Sequence, residues 1–307
     1  MTARTTRLAG YLFALAAGSL WGTTGPLSTV LYAAGAEITG IGFWRVLLGG
    51  IALAVWGAVW HRDMFRVDRR GLILVGLVGG MFVALFEVAY QFGIAGAGVA
   101  GAAALLYTAP VMVAVVAQPL LGERLTALRL GLAVVVMVGA ALTVTGGSHA
   151  GSGGGAASLA AGVIGGMLAA ASYAGTTLLA RWAVPRYGVV KVLFLEIVGG
   201  TVVLGLVLPL AGHAPAPPPG ASAWAYIAAL TIATVLLANF AFFAAVRRIE
   251  AAPTAVAATI EPVMGALLAL ILLGQRLTAL GWVGLCLVVG GVAAGYWREA
   301  FAKEVSS

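Results

Sequence analysis

Long apolar runs separated by short polar breaks extend along the whole chain. Ten runs are distinguishable, and each is close to the roughly 20 residues that an α-helix needs to cross a bilayer. They are Gly10–Leu31, Ile38–Trp60, Gly71–Phe92, Gly98–Pro119, Thr126–Thr145, Ser158–Ala180, Val190–Ala211, Ser222–Val246, Pro253–Leu273 and Thr278–Trp297. The pattern predicts an all-α membrane protein with ten transmembrane helices.

The positive charges lie in the breaks, and they alternate between the two sides of the predicted bundle. Arginines such as Arg62, Arg247 and Arg248 fall at one set of helix ends, whereas the opposite ends hold only Arg276. Because Lys and Arg accumulate in cytoplasmic loops, both termini are predicted to be cytoplasmic. The uncharged Gly/Ser-rich break at 146–157 is then external.

Composition supports the lipid bilayer as the solvent of this chain. Hydrophobic residues make up 62% and charged residues 9% of the sequence, which leaves a water-soluble domain without a surface. The net charge of +7 does not indicate a nucleic-acid partner, since the cations form no single basic face. One cysteine and three dispersed histidines predict neither a metal site nor a bound cofactor.

The two halves of the sequence resemble each other. Thirteen of nineteen positions agree between Pro110–Leu128 and Pro262–Leu280, and 19–24 is matched by 172–177. Five helices per half is an odd number, so the second copy enters the membrane in the opposite orientation. We therefore predict two inverted five-helix repeats, residues 1–150 and 151–307, with a substrate site near mid-membrane where they meet.

Four ionisable residues interrupt the apolar runs: Arg45, Glu87, Glu196 and Glu261. Each costs about 2.5–3.5 kcal/mol at a helix centre. Arg45 and Glu87 lie at similar depths and are expected to pair, either as a structural ion pair or as a gate. Glu196 is expected to reach the cytoplasmic interface. Glu261 precedes Pro262, which is expected to bend its helix, and both structural and functional roles remain open for this carboxyl.

Aromatic and amide residues form a candidate binding cavity. The predicted walls and hydrogen-bonding groups are Trp21, Thr24, Tyr90, Gln91, Tyr107, Tyr173, Thr177, Asn239 and Phe243. A hydrophobic amino acid has an apolar body and a zwitterionic end, which suits aromatic walls with a few polar groups. Glu261 would orient its amine or carry a coupling proton. For each aromatic residue alone, an interfacial belt or a core position is the alternative.

Several of these motifs resemble a known family. Trp21-Gly22, Arg45, Pro110 followed by Leu121-Gly122-Glu123-Arg124-Leu125, Glu261-Pro262 and Gly290-Gly291 are similar to the EamA type of the drug/metabolite transporter superfamily. Within it, the chain looks most like the YddG-type bacterial exporters of aromatic amino acids.

The resemblance implies a central cavity lined by helices one, three, four, six, eight and nine. It also implies export by alternating access across a bacterial cytoplasmic (inner) membrane. Export of other metabolites or of drugs is an alternative, because cavity polarity decides substrate choice. An intramembrane lipid-modifying enzyme would need a His, Asp or Ser cluster at one interface, and the short loops offer none. We therefore do not expect an enzyme.

The predicted topology is testable with reporter fusions. A reporter after Phe65 and one after Ser307 should be cytoplasmic, and one within Gly151–Gly155 should be external. Paired alkaline phosphatase and green fluorescent protein fusions report the two sides. A cytoplasmic signal from the glycine-rich break would contradict the five-plus-five arrangement.

Overall fold

The computed structural model describes residues 3–122, 126–145, 156–273 and 278–301, and every regular element in these ranges is helical. The first half contains α1 (Ala3–Trp21), α2 (Thr24–Ala33), α3 (Ile38–Trp60), α4 (Arg69–Gly71), α5 (Gly80–Leu106), α6 (Ala109–Leu121) and α7 (Ala127–Thr145). The second contains α8 (Ala156–Tyr187), α9 (Val189–Leu210), α10 (Gly220–Leu230), α11 (Ala238–Val246), α12 (Ala251–Ala258), α13 (Glu261–Leu273) and α14 (Ala279–Phe301).

Five helical stretches in the described ranges are long and apolar enough to cross a membrane. They are Thr39–Trp60, Arg69–Tyr90, Ala160–Tyr187, Val189–Leu210 and Gly220–Val246. Shorter apolar helices cover Ala109–Leu121, Leu130–Gly139 and Ala279–Gly291. The all-α prediction is thus confirmed, and the count of ten crossings stays a prediction. The break between the two halves, 146–155, lies outside the described residues.

Helix α5 contains a reversal of chain direction. A methyl group added to Gly165 of α8 would lie 2.6 Å from the Ala89 carbonyl oxygen, and one added to Gly166 would lie 2.8 Å from Cβ of Leu105. A straight helix would separate Ala89 from Leu105 by about 24 Å at about 1.5 Å per residue. The chain therefore turns back between Gly93 and Leu105, so the third and fourth predicted helices both pack against α8.

Three of the predicted helices are interrupted, which hydrophobicity alone does not indicate. The first is split between α1 and α2, the fourth between α5 and α6, and the ninth between α12 and α13. Pro110 and Pro262 therefore lie in the first turn of a new helix, where a missing N–H costs nothing. The expectation that Pro262 bends a continuous helix was wrong, because the backbone has already left the helix at Thr259.

The third and eighth predicted helices each contain a π-helical segment, Leu72–Gly79 and Thr231–Leu237. These segments lie on corresponding helices of the two repeats. A π turn has one residue more than an α turn, and it frees carbonyl groups for other donors. Their shared occurrence on these two helices agrees with the repeat seen in the sequence.

Glycine contacts join α9 to the third predicted helix. A Cβ on Gly199 would collide with the backbone of Gly76, and one on Gly80 would lie 2.7 Å from the Gly200 nitrogen. Glu196 lies beside this seam and is 1% exposed. The expectation that Glu196 reaches the interface was wrong, since the close approach of the two backbones encloses its side chain.

The predicted contact between Arg45 and Glu87 is present. The Arg45 guanidinium donates to Glu87 Oε1 at 2.5 Å, and both side chains are 10% exposed. The carbonyl of Arg45 also accepts a hydrogen bond of 3.2 Å from the Thr231 hydroxyl. The ion pair therefore joins α3 to α5, and the backbone of Arg45 joins α3 to the π-helical segment Thr231–Leu237.

Removal of either charge of this pair should destabilise the protein. Arg45→Met or Glu87→Gln leaves the other charge buried without its partner, which costs about 3–5 kcal/mol. The Arg45→Glu/Glu87→Arg exchange should recover part of the loss. Thermal unfolding in detergent measures all the variants, and Arg69→Gln, at an exposed arginine, is the control. Strictly additive effects of Arg45→Met and Glu87→Gln in a double-mutant cycle would contradict the contact.

Candidate functional site

The interruption of the first predicted helix lies against that of the ninth. A Cβ added to Gly22 would lie 2.7 Å from the carbonyl oxygen of Glu261, and one added to Gly18 would collide with the carbonyl of Ala258. Glycine is required here because the two backbones touch. The ends of α1 and α12 and the start of α13 therefore meet at one level of the bundle.

The third interruption joins the same region. Tyr107 is 5% exposed and belongs to a buried cluster that includes Val256, Ala257 and Val263. The ring of this tyrosine therefore lies in the same buried cluster as residues that precede and follow the gap in the ninth predicted helix. Three gaps in helices of both repeats converge.

A threonine closes each gap in the same way. Its backbone N–H and its hydroxyl both donate to the carbonyl three residues earlier. The pairs, with their N···O and O···O distances, are Thr23 with Leu20 (3.1 and 2.7 Å), Thr108 with Leu105 (3.0 and 2.7 Å), and Thr259 with Val256 (3.2 and 2.5 Å). The hydroxyl thus supplies a second donor where the α-helical pattern stops, as buried backbone groups require.

Sequence reasoning missed these threonines, although a local signal was available. Each is followed within three positions by a proline, Pro26, Pro110 or Pro262. Threonine side chains compete for backbone carbonyls and proline lacks an N–H, so the combination marks the end of one helix and the start of another.

Three aromatic rings are in mutual contact beside the gaps. The ring centroids are 5.9 Å apart for Trp21 and Tyr173, 5.2 Å for Trp21 and Phe242, and 5.7 Å for Tyr173 and Phe242. The indole N–H of Trp21 donates to the carbonyl of Thr234 at 3.0 Å. We call Trp21, Tyr173 and Phe242 the aromatic triad.

Phe242 takes the place expected for Phe243. The Phe243 ring is 1% exposed, and its centroid lies 6.1 Å from that of Phe242. Phe242 makes the contacts to Trp21 and Tyr173 instead. Both residues lie about one turn beyond Asn239, so helical spacing did not distinguish them.

Glu261 lies within electrostatic range of several of the predicted residues. Its carboxyl is near the phenol groups of Tyr107 and Tyr173 and the guanidinium of Arg45. Tyr107 also interacts with Tyr90, whose ring stacks on Phe86 with centroids 5.5 Å apart. The structure thus brings together predicted site residues from the third, fourth, sixth and ninth helices.

The predicted hydrogen-bonding residues differ in what they contact. Thr177 is fully buried, and its hydroxyl donates to the Tyr173 carbonyl at 2.8 Å. The amide nitrogen of Asn239 donates to Thr234 at 3.1 Å and to Val235 at 2.9 Å. Both side chains therefore bond to backbone carbonyls of their own helices.

For the remaining predicted residues, the structure gives mainly the helix in which each one lies. Thr24 is the first residue of α2 and is partly buried. Gln91 lies in α5 and Pro262 in α13, but their side chains lie outside what the structure describes. Glu87 and Asn239, which occupy corresponding repeat positions, have different partners: Glu87 bonds to Arg45, and Asn239 to the π-helical carbonyls.

Comparison with known proteins identifies the family. No curated protein matches the sequence. A crystal structure of a protein superposes with a TM-score of 0.80 at 20% identity, covering 98% of this chain and 100% of that one, which shows a shared fold. The sequence profile of the EamA-like transporter family matches residues 8–145 and again 160–296, in agreement with two repeated domains. The family match and the long apolar helices together indicate a multi-pass membrane protein. The chain belongs to the EamA-like transporter family.

Proposed function

We propose that this transporter exports small amphiphilic metabolites, and that aromatic or other hydrophobic amino acids are its substrates. The observation that carries the proposal is the aromatic triad beside Glu261. Aromatic faces bind an apolar side chain, and a carboxylate within a low-dielectric region binds an ammonium group. The substrate would insert among Trp21, Tyr173 and Phe242, with its amine toward Glu261.

The helix gaps support alternating access as the transport mechanism. Broken helices at the interface of inverted repeats are a common feature of transporters, in which one repeat rocks against the other around a fixed site. Here the gaps at Thr23, Thr108 and Thr259 meet beside the proposed site. The backbone hydrogen-bond ladder is already interrupted at each gap. The two parts of the helix can therefore change their relative angle there without breaking further backbone hydrogen bonds.

The proposed orientation rests on the charge pattern, and the proposed direction and location rest on the resemblance to YddG-type bacterial exporters. With both termini cytoplasmic, the two five-helix repeats lie inverted in a bacterial cytoplasmic membrane, and the substrate leaves the cell. Export of another metabolite or of a drug is the alternative function. A transport panel of labelled amino acids and of lipophilic cations in proteoliposomes separates these two substrate classes.

Loss of the tyrosine rings should impair transport of aromatic substrates most strongly. Tyr173→Ala and Tyr107→Ala remove stacking surface of the kind that contributes about 0.5–1.5 kcal/mol per aromatic pair, or roughly a 2- to 12-fold loss of affinity. Initial rates of phenylalanine and alanine counterflow into proteoliposomes measure the effect. Tyr226→Ala, at a tyrosine that is 38% exposed, is the matched control.

The amount of folded protein is checked by size-exclusion chromatography for each variant. If both cavity variants kept full phenylalanine counterflow, the proposed site would be wrong, although transport through another part of the bundle would remain open. Equal losses of phenylalanine and alanine counterflow would contradict only the preference for aromatic substrates, and not the location of the site.

Glu261→Gln distinguishes the two roles proposed for this carboxyl. If Glu261 binds the substrate amine, the amide should weaken counterflow by roughly 10-fold or more, since a charge-assisted hydrogen bond is lost. If it carries a coupling proton, counterflow without a gradient should persist while proton-driven accumulation disappears. We expect loss of both activities. Glu37→Gln, which makes the same change at an exposed carboxyl, is the control.

A further inference from the structure

A second concave site lies away from the aromatic triad. Its volume is about 370 Å³, and it is bounded by α1, α3, α11, the segment that joins α3 to α4, the end of α8 and the start of α9. Phe240 and Ala244 of α11 line it, whereas Phe242 of the same helix belongs to the triad. Residues two positions apart on a helix point in nearly opposite directions. The crevice and the triad therefore lie on different faces of α11.

The crevice adjoins the apolar outer surface of the bundle at Phe240. This residue lines the crevice, is 42% exposed and continues a stripe formed by Ile232 and Leu237, which are 53% and 52% exposed. On α3, Val55 and Val59, next to and one turn after the lining residue Trp56, are exposed by 57% and 60%. Apolar side chains exposed to this extent on apolar helices face hydrocarbon. An acyl chain can therefore reach the crevice beside Phe240.

The inner wall of the crevice is apolar and aromatic. Phe13, Trp56 and Met64 line it together with Phe240. Trp56 is held by the ring of His61, with centroids 4.4 Å apart. Such a wall offers an inorganic anion no hydrogen-bond donors, whereas it can pack against an alkyl chain through van der Waals contacts, which drive association within a bilayer.

The rim of the crevice is cationic. Lys191, Arg247 and Arg248 line it, and Asp63 is the acidic residue among the lining side chains. Lys191 donates to the Arg66 carbonyl at 3.0 Å, and the Arg248 guanidinium lies 4.7 Å from the Phe13 ring centroid. Arg247 is exposed at the mouth. Three cations against one carboxylate leave an excess of positive charge at the end of an apolar groove.

We propose that this crevice binds an anionic phospholipid, with its phosphate at Lys191 and Arg247 and an acyl chain along Phe13, Trp56 and Phe240. Basic sites between transmembrane helices on the cytoplasmic side recognise such headgroups. The loops that carry these cations are the ones predicted to be cytoplasmic. The lipid bridges α3 to α11, which belong to different repeats, and does not occupy the substrate site proposed above.

The test compares the lipid-dependent thermal shift of two charge-matched variants in detergent. Lys191→Gln/Arg247→Gln removes two cations from the rim, and Arg69→Gln/Arg186→Gln removes two exposed cations that do not line the crevice. Phosphatidylglycerol should stabilise the wild type and the control pair more than phosphatidylcholine does. In the rim-pair variant, the apparent affinity for phosphatidylglycerol should fall about 30-fold, because each cation contributes about 1 kcal/mol to the binding of an anionic lipid. Each shift is measured from the variant's own unfolding temperature without lipid, so a general loss of stability cannot account for a smaller shift.

Two further measurements separate a lipid from a soluble anion. Glycerol 3-phosphate should give no comparable shift, and Phe240→Ala should weaken the response to phosphatidylglycerol while leaving all the charges in place. Equal phosphatidylglycerol shifts in the rim pair and the control pair would overturn the proposal. A full shift with glycerol 3-phosphate would also overturn it, by assigning the site to a soluble phosphate.

Discussion

A bilayer supplies no hydrogen bonds, so every backbone group at a helix gap must find its partner inside the protein. Thr23, Thr108 and Thr259 meet this constraint with a hydroxyl and an N–H that share one carbonyl. The π-helical carbonyl of Thr234 meets it by accepting from Trp21 and from Asn239. The gaps therefore pack against one another, and the aromatic triad and Glu261 lie where the backbone departs from the α-helix.

The low dielectric constant of the membrane interior also constrains the buried charged side chains. Arg45 and Glu87 are nearly enclosed, and their contact offsets part of the cost of removing both from water. Arg45 also interacts electrostatically with Glu261. One guanidinium thus influences a paired carboxylate and the carboxyl proposed to bind substrate, so a movement of α3 relative to α5 would change the electrostatic environment of Glu261.

Features that depend on hydrophobicity averaged over whole helices could be predicted from the sequence. Features that depend on single hydrogen bonds, such as the helix gaps, were missed. Apolar runs were sufficient for the helical class, and the similar depths of Arg45 and Glu87 within two of these runs were sufficient for their pairing. The gaps were missed because one threonine hardly changes the hydrophobicity of a run of about 20 residues. Phe243 was chosen instead of Phe242 because these neighbours lie three and four residues beyond Asn239, so both are about one turn away from it. The ring contacts with Trp21 and Tyr173 are tertiary, and spacing along one helix does not reveal them.

The glycine seam between α9 and the third predicted helix has a mechanical consequence. Gly76 and Gly80 meet Gly199 backbone to backbone, whereas the side chains of Val83 and Glu196 pack against Gly200 and Gly79 beside this contact. Helices that interdigitate must change rotamers to move past each other, whereas two smooth surfaces slide by shear. Because one side of this seam belongs to the first repeat and the other side to the second, a shift between the two repeats would pass through this backbone contact and would require Val83 and Glu196 to change rotamer.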